Sequence, residues 1–113
     1  MKWPSKDQVR NDIRPWLDTE LKRHPEAIAV IASGSFIGEH WGVGSDLDLI
    51  IIVNESGTPF VKRAIAWDTS SISVPTDTLI YTVDEWRKMR EKSYRLVLEA
   101  EKKGVWLLGQ PPA

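Results

Sequence analysis

Residues 27–53 read AIAVIASGSFIGEHWGVGSDLDLIIIV, and the fold is decided there. Ala27–Ser33 (AIAVIAS) is a short apolar run closed by a glycine, which predicts a buried strand. Asp46–Val53 (DLDLIIIV) is rich in β-branched residues and is stopped by Asn54-Glu55-Ser56-Gly57, which predicts a second strand. Between them, Gly34 to Gly44 forms a glycine-punctuated loop with room for one helical turn. Asp46 and Asp48 stand two apart at the start of the second strand, so they point to the same face. A carboxylate pair has no packing value at that place.

Working outward, Ser5 followed by Gln8 predicts a capped helix start. Val9, Ile13, Trp16, Leu17 and Leu21 then recur at helical spacing up to His24-Pro25, with Pro15 expected to kink the helix. On the other side, Phe60, Ala64, Ile65 and Trp67 suggest a short helix. Thr76–Thr82 (TDTLIYT) predicts a third strand after Val74-Pro75. Thr82 and Glu85 form a capping box that opens what reads as the longest helix, running to Gly104, with Trp86, Met89, Leu96, Val97 and Ala100 along one side. Glu91–Arg95 and Glu99–Lys103 are favourable pairs along it. Val105–Leu108 (VWLL) predicts an edge strand. The expected class is α/β (α+β): a small mixed β-sheet flanked by helices, in a single domain over residues 1–113.

Composition narrows the functions. With 42% hydrophobic and 27% charged residues, the chain is of ordinary globular composition. Its net charge of −1 gives no sign of a nucleic-acid or membrane footprint. It has no cysteine, which excludes disulfides, thiolate metal sites and a cysteine nucleophile. The stretch Met1–Ser5 leads into polar sequence without a signal-type apolar segment, and no apolar run is long enough to span a bilayer, so a cytoplasmic location is expected.

The chemistry is concentrated between Gly34 and Asp77. Two carboxylates so close repel, and one would be pushed toward the neutral form unless a cation lay between them. Hard oxygen donors with no histidine or cysteine at hand suit Mg²⁺ or Mn²⁺. Asp77 lies near the start of the third strand; if that strand neighbours the second, three aspartates converge. Such a set can hold a pair of ions for in-line phosphoryl displacement. Gly34-Ser35 directly follows a strand, so backbone amides and a hydroxyl can approach phosphate oxygens with no side chain in the way. Singly these signals are weak, because an isolated Asp-x-Asp is more often a solvated strand end. In this order they are demanding.

Gly34-Ser35, a ten-residue spacer and Asp46-Leu47-Asp48 resemble the GSx10DxD signature of the DNA polymerase β-type nucleotidyltransferase superfamily. Ser45 before Asp46, and the approach Val74-Pro75-Thr76 to Asp77, add to the likeness. The size is similar to that of the minimal nucleotidyltransferases of bacteria and archaea. The resemblance implies a polymerase β palm-like fold and a Mg²⁺-dependent transferase moving a nucleoside monophosphate, expected to be AMP from ATP, to an acceptor hydroxyl. It further implies that Gly34, Ser35 and Ser45 bind nucleotide, that Asp46 and Asp48 ligate two metal ions, and that Asp77 ligates the catalytic one and helps deprotonate the acceptor. Members of the family are often paired with a HEPN-domain protein as a toxin–antitoxin system. A partner subunit of that kind, or a homo-oligomer, is therefore expected here. The chain departs from many relatives in one respect. Where they carry arginine shortly after Gly-Ser, it has Phe36, Ile37 and Gly38, which leaves Lys62, Arg63, Arg87 or a partner to neutralise the triphosphate.

Other residues read more plainly. His40 lies in the loop between the motifs, and His24, before a proline, is expected to be solvated. Of the six tryptophans, Trp41 and Trp67 are candidates to stack on a base, while Trp16, Trp86 and Trp106 sit at core or strand positions. The rival to an enzyme is an antitoxin-like binding subunit that masks its partner by contact.

Overall fold

The computed structural model describes residues 3–113; Met1 and Lys2, and with them the start of the expected 1–113 domain, lie outside the described residues. Helix α1 (Lys6–Arg23) comes first, then β1 (Ala27–Ser33), a 3₁₀ turn (Gly34–Ile37) and β2 (Leu47–Val53). A short helix α2 (Phe60–Arg63) runs into a second 3₁₀ turn (Ala64–Ala66), followed by β3 (Thr76–Thr82), α3 (Val83–Glu91), α4 (Arg95–Lys103) and β4 (Val105–Leu108). The four strands form one mixed sheet in the order β3-β2-β1-β4. β1 pairs antiparallel with β2 and β4, whereas β2 and β3 are parallel.

The sheet separates two cores. On one face Val30, Ala32, Leu47, Leu49, Ile51 and Val53 pack against Val9, Ile13 and Trp16 of α1. On the other, Ala29, Ile31, Ile50 and Ile52 meet Trp86 of α3 and Val97 and Ala100 of α4. β2 is covered on both sides, which is why it reads as a continuous apolar run instead of an alternating one. Each such side chain taken fully out of water contributes roughly 1.5–3 kcal/mol.

The helices are set by local chemistry. The Ser5 side chain accepts the Gln8 amide at the head of α1, and Thr82 and Glu85 complete a reciprocal capping box at the head of α3. Helix α1 runs through Pro15 without ending. Its buried stripe is Val9, Ile13, Trp16 and Glu20, so a glutamate takes the place expected of Leu21. The Glu20 carboxylate accepts the Asp68 amide at 2.6 Å and the Arg23 guanidinium at 3.2 Å, while Trp16 Nε1 donates to the Asp68 carbonyl at 2.6 Å. These bonds fasten the segment after α2 onto α1.

The long C-terminal helix expected from the sequence is two helices. Ser93 takes φ 56°, its amide donates to the Arg90 carbonyl at 2.9 Å, and the Tyr94 amide donates to the Met89 carbonyl at 2.9 Å. This pair of bonds is the Schellman closure, formed here on a serine instead of the usual glycine. Arg95 consequently bonds Glu99 at 2.8 Å, and the expected Glu91–Arg95 pair spans the break. None of the described helices is long and apolar enough to cross a membrane.

Candidate active site

Three strand ends meet at one edge of the sheet. Because β2 and β3 are parallel, their starts lie together, with Asp48 opposite Asp77 in the register. Because β1 is antiparallel to β2, its last residue, Ser33, lies opposite Asp48. Strand alternation puts Asp48, Ile50 and Ile52 on the α3–α4 side of β2, and Asp77, Leu79 and Tyr81 on the same side of β3. Asp46, the first residue of the expected strand, lies one residue ahead of the observed β2.

The expected convergence occurs: one carboxylate oxygen from each of Asp46, Asp48 and Asp77 lies within 4.8 Å of the others. Asp46 and Asp48 are half-buried and Asp77 is exposed. Burial lifts the Asp48 carboxyl above the ordinary aspartate range, and the negative charges of Asp46 and Asp77 push it the same way. A cluster that disfavours its own ionisation is relieved by a cation. All the donors are hard oxygens, and none of the ion pairs among the described residues involves any of the three, so Mg²⁺ or Mn²⁺ fits the set.

Gly34 and Ser35 are exposed in the turn that leaves β1. Gly34 has φ +73°, and a β-carbon there would collide with the Asp48 carboxylate. The glycine is therefore required twice, by its backbone and by its neighbour. Ser45, the third expected nucleotide contact, shapes the approach to Asp46: its hydroxyl accepts the Gly42 amide at 3.0 Å and its amide donates to the Gly42 carbonyl at 2.9 Å.

Several other expectations are corrected. Arg63 lies at the opposite end of β3, where it bonds Glu85 at 2.6 and 3.2 Å, the Ile80 carbonyl at 3.1 Å and the Thr58 carbonyl at 2.8 Å. Lys62 lines a hollow with Val53 and Ile80 at that same end. Arg87 bonds the Ala113 carbonyl at 3.0 Å from α3. Lys62 and Arg63, two of the three cations expected at the triphosphate, are thus placed at the far end of the sheet. Trp67 is buried and stacked on His24 at 4.1 Å, so it is closed to a base. His24 is not solvated: its Nε2 lies 2.9 Å from the Ala66 carbonyl and its Nδ1 3.1 Å from Glu26. Trp41 packs edge-on against Phe36 and donates to the Pro4 carbonyl at 2.8 Å, which makes it an anchor of the loop. His40 is exposed.

Sequence reasoning missed Ser33, which faces the cluster as the cross-strand partner of Asp48. The signal was present, since the parity of an antiparallel β1–β2 pair fixes it. A hollow of about 530 Å³ between Phe60, Tyr81, Met89, Tyr94 and Leu96 includes none of the three aspartates in its lining. Its lining is mainly apolar, and the carboxylate on its rim, Glu85, is tied to Arg63. The aspartate cluster lies instead at the open ends of the strands.

No family model matches the sequence, and no curated protein matches it. The fold does have a match among solved structures. A candidate nucleotidyltransferase from Sulfolobus solfataricus superposes over 89% of this chain and 80% of its own, with a TM-score of 0.62 and 12% sequence identity. The chain has a nucleotidyltransferase fold. At that identity the likeness is one of architecture, and the chemistry must be argued from the site.

Proposed function

We propose that this chain is a nucleotidyltransferase that passes a nucleoside monophosphate, AMP from ATP as the expected case, to an acceptor hydroxyl. The observation that carries the proposal is the meeting of Asp46, Asp48 and Asp77 within 4.8 Å beside the exposed Gly34-Ser35 turn. In the reaction the acceptor oxygen forms a bond to the α-phosphorus. The bond to the bridging oxygen breaks, and pyrophosphate departs with the electron pair. Asp46 and Asp48 hold the nucleotide end of the site. Asp77, which is the exposed member, takes the hydroxyl proton from an acceptor arriving from solvent. When bound to the three carboxylates, two divalent ions supply the positive charge that acidifies the hydroxyl and steadies the leaving group. Gly34 and Ser35 offer backbone and hydroxyl donors to the phosphates.

The proposal includes a protein partner, either a HEPN-domain protein neutralised as a toxin or a second copy of the chain. The second reading, a binding subunit that acts by contact alone, is favoured by the exposed apolar side chains of Val61 and Ile65, one helical turn apart beside Phe60. Incubation with Mg²⁺ and each NTP labelled at the α-phosphate, in extract from the host, separates the two. Label passed to an acceptor by the wild type and not by the Asp46→Asn, Asp48→Asn double variant is the expected result. Absence of transfer with every NTP, together with neutralisation of a partner by the double variant, would leave the contact reading in place.

A further inference from the structure

The site gathers three carboxylates, and its proposed substrate is a polyanion. Divalent ions offset part of that charge, so the polyphosphate tail needs fixed cations from the protein. Of the residues expected to provide them, Lys62 and Arg63 lie at the far end of the sheet, and Arg87 bonds the Ala113 carbonyl. The turn Gly34–Ile37 leads away from the aspartates, with Gly34 against Asp48 at one end. At its other end Lys6, from the first turn of α1, donates from Nζ to the Gly38 carbonyl at 2.6 Å. The same ammonium lies 6.0 Å from the centre of the Phe36 ring, and the Arg10 guanidinium, one helical turn on, lies 5.6 Å from it. Phe36 is the buried residue directly after Ser35. Two cations of α1 therefore flank the turn from the side opposite the carboxylates.

Helix α1 is fixed in this position at several points. The Trp41 indole donates to Pro4, and the Asp12 carboxylate accepts from the amide and hydroxyl of Ser73, four residues before Asp77. The existing partners of the two cations are weak ones. Lys6 spends its charge on a neutral carbonyl, and Arg10 pairs with Asp7 at 3.0 Å on an exposed surface. An exposed pair of that kind is worth little and is readily exchanged for a phosphate.

We infer that Lys6 and Arg10 form the polyphosphate clamp of this site, receiving the tail of the nucleotide after it crosses the Gly34-Ser35 turn. The inference rests on the transferase reading and goes beyond it by assigning the tail to α1. Because α1 also packs against β3's approach through Asp12 and Ser73, the clamp ties the nucleotide to the helix that borders the metal edge.

The test is calorimetric binding of inorganic tripolyphosphate and of ATP in Mg²⁺, with AMP as the ligand lacking the tail. The variants are Lys6→Ala, Arg10→Ala, their combination, Lys6→Arg, and Lys62→Ala as a control from the far end of the sheet. The double variant should bind tripolyphosphate and ATP more weakly by an order of magnitude or more. AMP binding should hardly change, Lys6→Arg should keep most of the affinity, and Lys62→Ala should match the wild type. Thermal unfolding confirms that each variant is folded. If the double variant binds tripolyphosphate as the wild type does while Asp46→Asn loses ATP, the clamp is wrong and the transferase reading survives. A wild type that binds neither tripolyphosphate nor ATP overturns both.

Discussion

Replacing Asp48 by asparagine should make the metal-free protein more stable and remove its response to Mg²⁺. Asn keeps the shape of the side chain and deletes its charge. Two unit charges 4.8 Å apart repel by roughly 0.9 kcal/mol at the dielectric of water and roughly 3.5 kcal/mol at an effective dielectric of about 20. Asp48 has two such neighbours and is half-buried, but Asp77 is exposed and screened by solvent, so the low end applies. Relief of about 1–2 kcal/mol follows, or on the order of 4 °C in Tm for each kcal/mol at this chain length. The pH dependence has a definite sign. Burial, reinforced by Asp46 and Asp77, raises the folded pKa, so the folded protein keeps a proton that the unfolded carboxyl has already lost. The penalty is absent below the ordinary aspartate range, develops as pH rises toward the raised value, and is complete above it. The advantage of the variant should accordingly vanish on acidification.

Added Mg²⁺ should reverse the order. An ion present at a hundred times its dissociation constant stabilises the wild type by about 2.7 kcal/mol, more than the relief in the variant, which is short of a ligand and gains far less. Urea denaturation of both proteins at neutral and acid pH, in EDTA and in millimolar Mg²⁺, covers the four conditions. A variant less stable than the wild type in EDTA at neutral pH, or one stabilised equally by Mg²⁺, would refute the view that this cluster is strained until a cation binds.

Two further expectations concern the frame around the site. Gly34→Ala should cost at least about 1–2 kcal/mol for the left-handed backbone alone. Because its β-carbon meets the Asp48 carboxylate, it should also blunt the Mg²⁺-dependent gain in Tm; wild-type stability and an intact response would show that the turn tolerates a side chain. At the far end of the sheet, the Arg63 guanidinium beside Glu85 holds that carboxyl below its usual range, so its stabilisation is present above the ordinary glutamate pKa and lost as pH falls through the depressed value. Arg63→Ala should therefore lower the urea midpoint more at pH 7 than at pH 3, and an equal loss at both would mean that the arginine acts through packing alone.

The strands were legible because burial on both faces writes itself into composition. Thr76–Thr82 was found with its observed ends, and β2 was misplaced only by Asp46, which is not a ladder residue. The meeting of the three aspartates was legible because Asp46 and Asp48 head one apolar strand and Asp77 heads the strand that pairs with it. What escaped was decided by tertiary contact. Ser93 closes a helix in a conformation that sequence normally assigns to glycine. Glu20 occupies a core position because the Asp68 amide needs an acceptor there. The partners of Arg63, Trp67 and His24 are 22, 43 and 42 residues distant in sequence respectively, beyond the reach of any local pattern.

The placement of the site follows from the pairing directions. An antiparallel β1–β2 pair brings the end of β1 to the start of β2, and a parallel β2–β3 pair brings the start of β3 to the same edge. Had β3 run antiparallel to β2, its Thr82 end would lie beside Asp48 and Asp77 would be displaced by about five residues, on the order of 17 Å along the strand. The parallel pairing requires the long connection through α2, and that connection leaves β2 at the end away from the aspartates. It therefore places Lys62, Arg63 and their partners far from the metal edge. Helix α1, by contrast, brings Lys6 and Arg10 to the Gly34–Gly38 turn. The topology that gathers the carboxylates thus also sets α1, not the β2–β3 connection, beside the Gly34–Ile37 turn.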